Sequence, residues 1–138
     1  MKYLHAMIRT NDPEASVRFY TEGLGLKLLK RNDHESGQFS LYFLGEDEQS
    51  PMIELTHNWQ TGDYRNGNQF GHLAFQCDDI YKSCEDLQSM GVTILRPPRD
   101  GHMAFVKDPN GISIEILQLG DSLETKEPWI SMKSQGNW

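Results

Sequence analysis

The sequence predicts an α+β fold made of one βαβββ module used twice, and three observations carry that expectation. An apolar strand with a histidine in its middle occurs as "YLHAMIR" (residues 3–9) and again as "FGHLAFQ" (residues 70–76). Each is followed by a stretch with helix start and stop signals, and each helix by a short strand and a hairpin. The period, about 60 to 67 residues, is too long for a solenoid repeat and suits a duplicated domain.

In the first copy "NDPEASVRFYTEGLG" places Asp12 to cap and Pro13 in the first turn, where its missing N–H costs nothing. Val17, Tyr20 and Leu24 fall on one helical face, and Gly23 or Gly25 ends the run. The strand "LKLLKR" and the hairpin "FSLYFLGEDEQSPMIELTH" follow. In the second copy Asp78 or Asp79 caps "DDIYKSCEDLQSMG", in which Ile80, Cys84 and Leu87 share a face and Gly91 closes the helix. The strand "VTILRP" and the hairpin "MAFVKDPNGISIEILQL" complete it, with Asp-Pro-Asn-Gly as a strong turn signal. One domain over residues 1–119 is expected, with modules at 1–57 and 70–119 and a Gly- and Asn-rich linker at 58–69. Residues 120–138 lack periodicity and read as a C-terminal tail, either frayed or docked through Trp129 and Trp138 on the body or a partner chain.

Composition narrows the function classes. A chain of 138 residues with 37% hydrophobic content is large enough to bury a core. No apolar run approaches the roughly 20 residues of a membrane span, and the start lacks a secretory signal, so a cytoplasmic location is expected. Cys77 and Cys84 match neither a redox pair nor a zinc ribbon and read as reduced core residues. A net charge of −7 argues against nucleic acid or an anionic membrane as partner.

Strand parity then singles out four polar residues. Leu4, Ala6 and Ile8 lie opposite His5, and Leu73 and Phe75 lie opposite His72. Ile53 and Leu55 flank Glu54, as Ile114 and Ile116 flank Glu115. With the apolar sets under the helices, two histidines and two glutamates share the other, concave face. A single histidine or glutamate on a strand is ordinarily a core or solvated residue. Four at matching places in two repeats, their spacings differing only by what a hairpin loop absorbs, are harder to dismiss. Converging without a cation they would be poorly solvated. Imidazole and carboxylate together suit a divalent transition metal, and positions left for water make such a centre catalytic.

The stretches "LHAMIRTNDPEASVRFYTEGLGLKLL", "IELTHNW", "GHLAF" and "MAFVKDPNGISIEIL" make the chain resemble glyoxalase I, lactoylglutathione lyase, of the vicinal-oxygen-chelate superfamily, across residues 1–119. The resemblance implies a cupped mixed sheet and a metal set of His5, Glu54, His72 and Glu115. It implies a lyase that isomerises the hemithioacetal of methylglyoxal and glutathione to S-lactoylglutathione through an enediolate. Glu115 would act as the base, while Glu54 would hold the metal or serve the opposite prochiral face. Arg9 and Asn58 match residues that hold the γ-glutamyl end of glutathione. Each lies four residues beyond His5 or Glu54, on the same strand face and about 13 Å along it.

The sequence also departs from that pattern. Asn68 stands where some members carry a basic residue, and the loop with their glycyl-end lysine is shortened to "RPPRDGHMAF", in which Arg99 or His102 can substitute. Glutathione or another cofactor thiol therefore remains open. The short form resembles the nickel-activated bacterial class, so one divalent ion per site is implied, nickel ahead of zinc or cobalt. The resemblance further implies a homodimer with composite sites, His5 and Glu54 of one subunit meeting His72 and Glu115 of the other. The alternatives are another metal-dependent enzyme of the same fold, a thiol transferase or a dioxygenase, and a metal-free small-molecule-binding module.

Overall fold

The computed structural model describes residues 1–138, which form two compact units, Met1–Arg65 and Asn66–Trp138. Their division falls inside the expected linker. No helix is long and apolar enough to cross a membrane.

In the first unit β1 (His5–Arg9) leads to α1 (Pro13–Arg18), whose capping Asp12 accepts a hydrogen bond from the Ala15 N–H. The helix does not run on evenly to Gly23 as the periodicity suggests. It widens into a π-helical turn, Phe19–Gly23, in which the Leu24 N–H reaches back to the Phe19 carbonyl. One residue is thereby accommodated without ending the helix, and Phe19 and Tyr20 are both buried, at 3% and 0% exposure. Gly25, at φ 76°, turns the chain out. Then come β2 (Lys27–His34), longer than expected and bulged between Leu28 and Lys30, β3 (Phe39–Gly45) and β4 (Met52–Asn58). The sheet order is β1-β4-β3-β2, with β1 parallel to β4 and the other pairs antiparallel. Ile8, Ile53, Leu55, Tyr42 and Leu44 are buried, and α1 packs against β4. Full burial of one such aliphatic side chain contributes roughly 1.5–3 kcal/mol.

The second unit contains β5 (His72–Cys77), α2 (Ile80–Ser89), β6 (Met103–Lys107) and β7 (Ser113–Gln118). Asp79 caps α2 by accepting from the Tyr81 and Lys82 N–H groups. Asp108 tightens the 108–111 turn by accepting from the Asn110 and Ile112 N–H groups. The sheet order is β5-β7-β6, with β5 parallel to β7. The expected strand "VTILRP" is reduced to a single bridge between Arg96 and Phe105. Pro97 and Pro98 cannot donate to a ladder, and the Leu95 carbonyl is instead taken by the Gln135 N–H of the tail. The tail is docked on its own unit: Trp129, 1% exposed, lies near-parallel to Tyr81 with ring centroids 6.2 Å apart. Cys77 and Cys84 are free thiols, and burial pushes Cys84 up to about 12, so it remains an unreactive core residue.

Candidate metal centre

In both units the sheet brings one histidine to one glutamate by the same register. His5 pairs with Met52 on the parallel neighbour, two residues before Glu54; His72 pairs with Ser113, two residues before Glu115. Residues two apart share a face, so each imidazole leans diagonally onto the carboxylate. His5 Nε2 lies 2.9 Å from Glu54 Oε2, and His72 Nε2 lies 3.2 Å from Glu115 Oε2. The imidazoles are 37% and 43% exposed while the carboxylates are 14% and 17% exposed, so each pair presents its nitrogen outward from a sheltered acid. The Thr56 hydroxyl lies 3.4 Å from the other oxygen of Glu54.

An aromatic ring walls each pair. Phe43 pairs with Glu54 and Phe105 with Glu115, and each ring meets its histidine in a T-shaped contact, with centroids 6.0 Å apart at His5 and 5.3 Å apart at His72. Parity along the histidine and glutamate strands does not single out either ring; cross-strand register does, since each phenylalanine lies directly opposite its glutamate. The opposite face of the first sheet has a different recess of about 510 Å³, lined by residues including Val17, Leu28, Arg31 and Tyr42. It belongs to the helix-covered side and holds neither donor.

The donor chemistry fits a divalent ion. Two donors held at about 2.1 Å and at right angles to each other lie about 3 Å apart, which both His–Glu separations match. Each unit supplies two such donors, and within neither unit do three or more His, Cys, Asp or Glu gather into a metal-binding group.

The other candidates are placed unevenly. Arg9 is exposed on the face of His5, with no ion pair or side-chain hydrogen bond, and Asn58 shares the face of Glu54 and donates to Tyr64 Oη at 2.9 Å. Asn68 is exposed in a turn. Arg99 is committed elsewhere: its guanidinium donates to the Met132 carbonyl at 2.9 Å and to Ser134 Oγ at 3.1 Å, both in the tail. His102 falls opposite Gln118, whose side chain serves the start of α2, so register carries it to the α2 side with a buried Nδ1 lacking a partner. Neither of these two faces His72 and Glu115, because the tail and the strand alternation claim them.

Residues 2–116 match the family model for the Glyoxalase/Bleomycin resistance protein/Dioxygenase superfamily. The chain belongs to this superfamily. Among its glyoxalase relatives, a probable lactoylglutathione lyase of Vibrio cholerae is 41% identical, the match covering 85% of this chain and 90% of that one. A lactoylglutathione lyase of Neisseria meningitidis serogroup A is 42% identical, with 86% and 91% covered. Of solved structures, the trypanothione-dependent glyoxalase I of Leishmania major superposes with a TM-score of 0.81 at 38% identity, covering 86% of each chain. A glyoxalase I mutant from Zea mays gives 0.80 at 35% identity; 87% of this chain is covered but 45% of that longer one.

Proposed function

We propose that the chain is a lactoylglutathione lyase that isomerises the methylglyoxal–glutathione hemithioacetal to S-lactoylglutathione. The observation that carries this reading is the His–Glu pair repeated in one register, in a chain about 40% identical to relatives of that name. His5, Glu54, His72 and Glu115 would hold one divalent ion, nickel in this short form. When bound, the ion supplies positive charge that steadies negative charge developing on the substrate's adjacent oxygens.

The chain's own residues supply the proton transfer and the grip. The Glu115 carboxylate takes the proton from the sulfur-bearing carbon and returns it to the neighbouring carbon, so atoms and electrons balance without a redox cofactor. The Thr56 hydroxyl lies beside Glu54, and no such donor stands beside Glu115. Arg9, uncommitted and exposed, clamps the γ-glutamyl carboxylate, with Asn58 beside it.

His5 and His72 both lie on edge strands, β1 and β5, whose outer backbone groups are unpaired. A homodimer in which the first unit of one subunit completes the second unit of the other satisfies both edges and joins two donors to two. Chelated protein should regain isomerase activity with Ni²⁺ or Co²⁺ and little with Zn²⁺, followed as thioester formation from glutathione and methylglyoxal. Zinc outperforming nickel would overturn the metal assignment. No thioester with any metal, using glutathione or trypanothione as the thiol, would overturn the activity; retention of the adduct without metal would favour a binding module.

A further inference from the structure

The tail returns beside the Leu95–Arg96 segment that bridges β6, and brings Trp138 onto Phe105 on the face that bears His72 and Glu115. Arg99 holds Met132 and Ser134, and the Gln135 N–H donates to Leu95 at 2.9 Å, next to the bridge between Arg96 and Phe105. Three residues on, the indole of Trp138 stacks on Phe105, with centroids 5.9 Å apart and planes 28° apart. Phe105 is the ring in T-shaped contact with His72 and is paired across the strands with Glu115. It is 7% exposed, whereas Trp138 keeps 44% of its own surface open. An indole fixed by one face and open elsewhere is a platform with little conformational entropy left to lose.

We infer that Trp138 is a specificity-determining residue of the substrate cleft, a stacking platform for the side group of the 2-oxoaldehyde half of the substrate. The inference rests on the isomerase reading. The reacting carbons belong beside Glu115, and Phe105 with Trp138 is the apolar wall next outward on that face. The peptide half is accounted for by Arg9 and Asn58. A large apolar or aromatic aldehyde side group therefore gains a partner in Trp138 that a methyl group is too small to use.

The test uses the full metal-loaded chain with W138A and W138F. An aromatic stack of ordinary strength predicts that the ratio of kcat/KM for phenylglyoxal over methylglyoxal hemithioacetal falls about 2- to 12-fold in W138A. W138F should recover most of it. Titration with S-benzylglutathione should quench fluorescence in the wild type that W138F lacks, and S-methylglutathione should quench it far less. A ratio that stays at the wild-type value or rises, including equal losses on both aldehydes, overturns the inference and leaves Trp138 a cover for Phe105. Absence of isomerisation in the wild type is the failure of the functional reading instead. The fluorescence titration then decides alone, and no Trp138-dependent quenching overturns the platform.

Discussion

Phe43 is half-buried beside His5, while its counterpart Phe105 lies beneath Trp138 beside His72. The two donor pairs have the same strand register and nearly the same N–O distance, 2.9 against 3.2 Å, so the surroundings are what diverged. The first unit has a four-stranded sheet, an uncommitted Arg9 and a Thr56 hydroxyl near its glutamate. The second has a three-stranded sheet whose β6 edge takes the bridge to Arg96, with the tail hydrogen-bonded to Leu95 beyond it. Backbone pairing fixes the two His–Glu pairs alike while their flanks differ: one bears the exposed, uncommitted Arg9, the other the apolar wall of Phe105 and Trp138.

Exchanging the glutamates' chemistry breaks that comparison most strongly. Glu115→Gln should retain metal, because an amide oxygen still coordinates, and should lose on the order of 10² to 10⁴ in turnover as the base disappears. Glu54→Gln should lose less. Metal content and kcat measured together decide it, and near-normal turnover in metal-loaded Glu115→Gln would move the base to Glu54.

Complementation tests whether the unlike halves work across subunits. His5→Ala and His72→Ala should each be inactive, yet mixing them under conditions of subunit exchange should restore about one working site per heterodimer. One composite site then carries both lesions and the other carries none. Proven exchange with no recovered activity would exclude shared sites.

The comparison also separates what was legible in the sequence from what was not. Parity and cap chemistry are local, so the faces of His5, Glu54, His72 and Glu115, the Asp12 cap and the Asp108 turn could be read directly, while the second cap was narrowed to Asp78 or Asp79 and the structure selects Asp79. The π-helical turn escaped because a helical stripe does not reveal one extra residue when Phe19 and Tyr20 can both be buried. The strand expected at "VTILRP" shrank to a bridge before Pro97 and Pro98, and Leu95 and Arg99 turned to the tail, because residues 121–138 carry no periodicity yet supply long-range partners. Propensity says nothing of such competition. Trp129 and Trp138 signalled docking only through their size.

A smaller effect is expected at the gripping end. Arg9→Ala should raise KM for the glutathione hemithioacetal roughly 10- to 100-fold, the worth of a charge-assisted contact, with much less change in kcat. Such a contact would be to a part of the substrate that does not change during reaction, and so equal in ground and transition states. A loss confined to kcat would place Arg9 in the chemistry instead.

The smallest effect concerns the loop on which the second unit's tail rests. Burial alone would raise the Asp100 carboxyl, but hydrogen bonds from the Arg96 guanidinium and the Met103 and His102 N–H groups outweigh it and hold Asp100 at about 2. That carboxylate ties down the turn whose Gly101 carbonyl accepts from the Leu123 N–H of the tail. A depressed folded value stabilises above the unfolded carboxyl range, near pH 4, and the contribution fades as pH falls from there through about 2. Asp100 is 45% exposed, so solvent screening limits the effect to about 1 kcal/mol or less. The melting temperature of Asp100→Asn should lie below wild type by a few degrees at pH 5, and the gap should close toward pH 2. The first unit's Asp47 caps a loop in a similar way through the Gln49 and Ser50 N–H groups, but no tail rests on it. An Asp100→Asn gap that stayed constant across this range would mean that the aspartate holds the loop by shape alone, and the tail of the second unit would then be insensitive to acid.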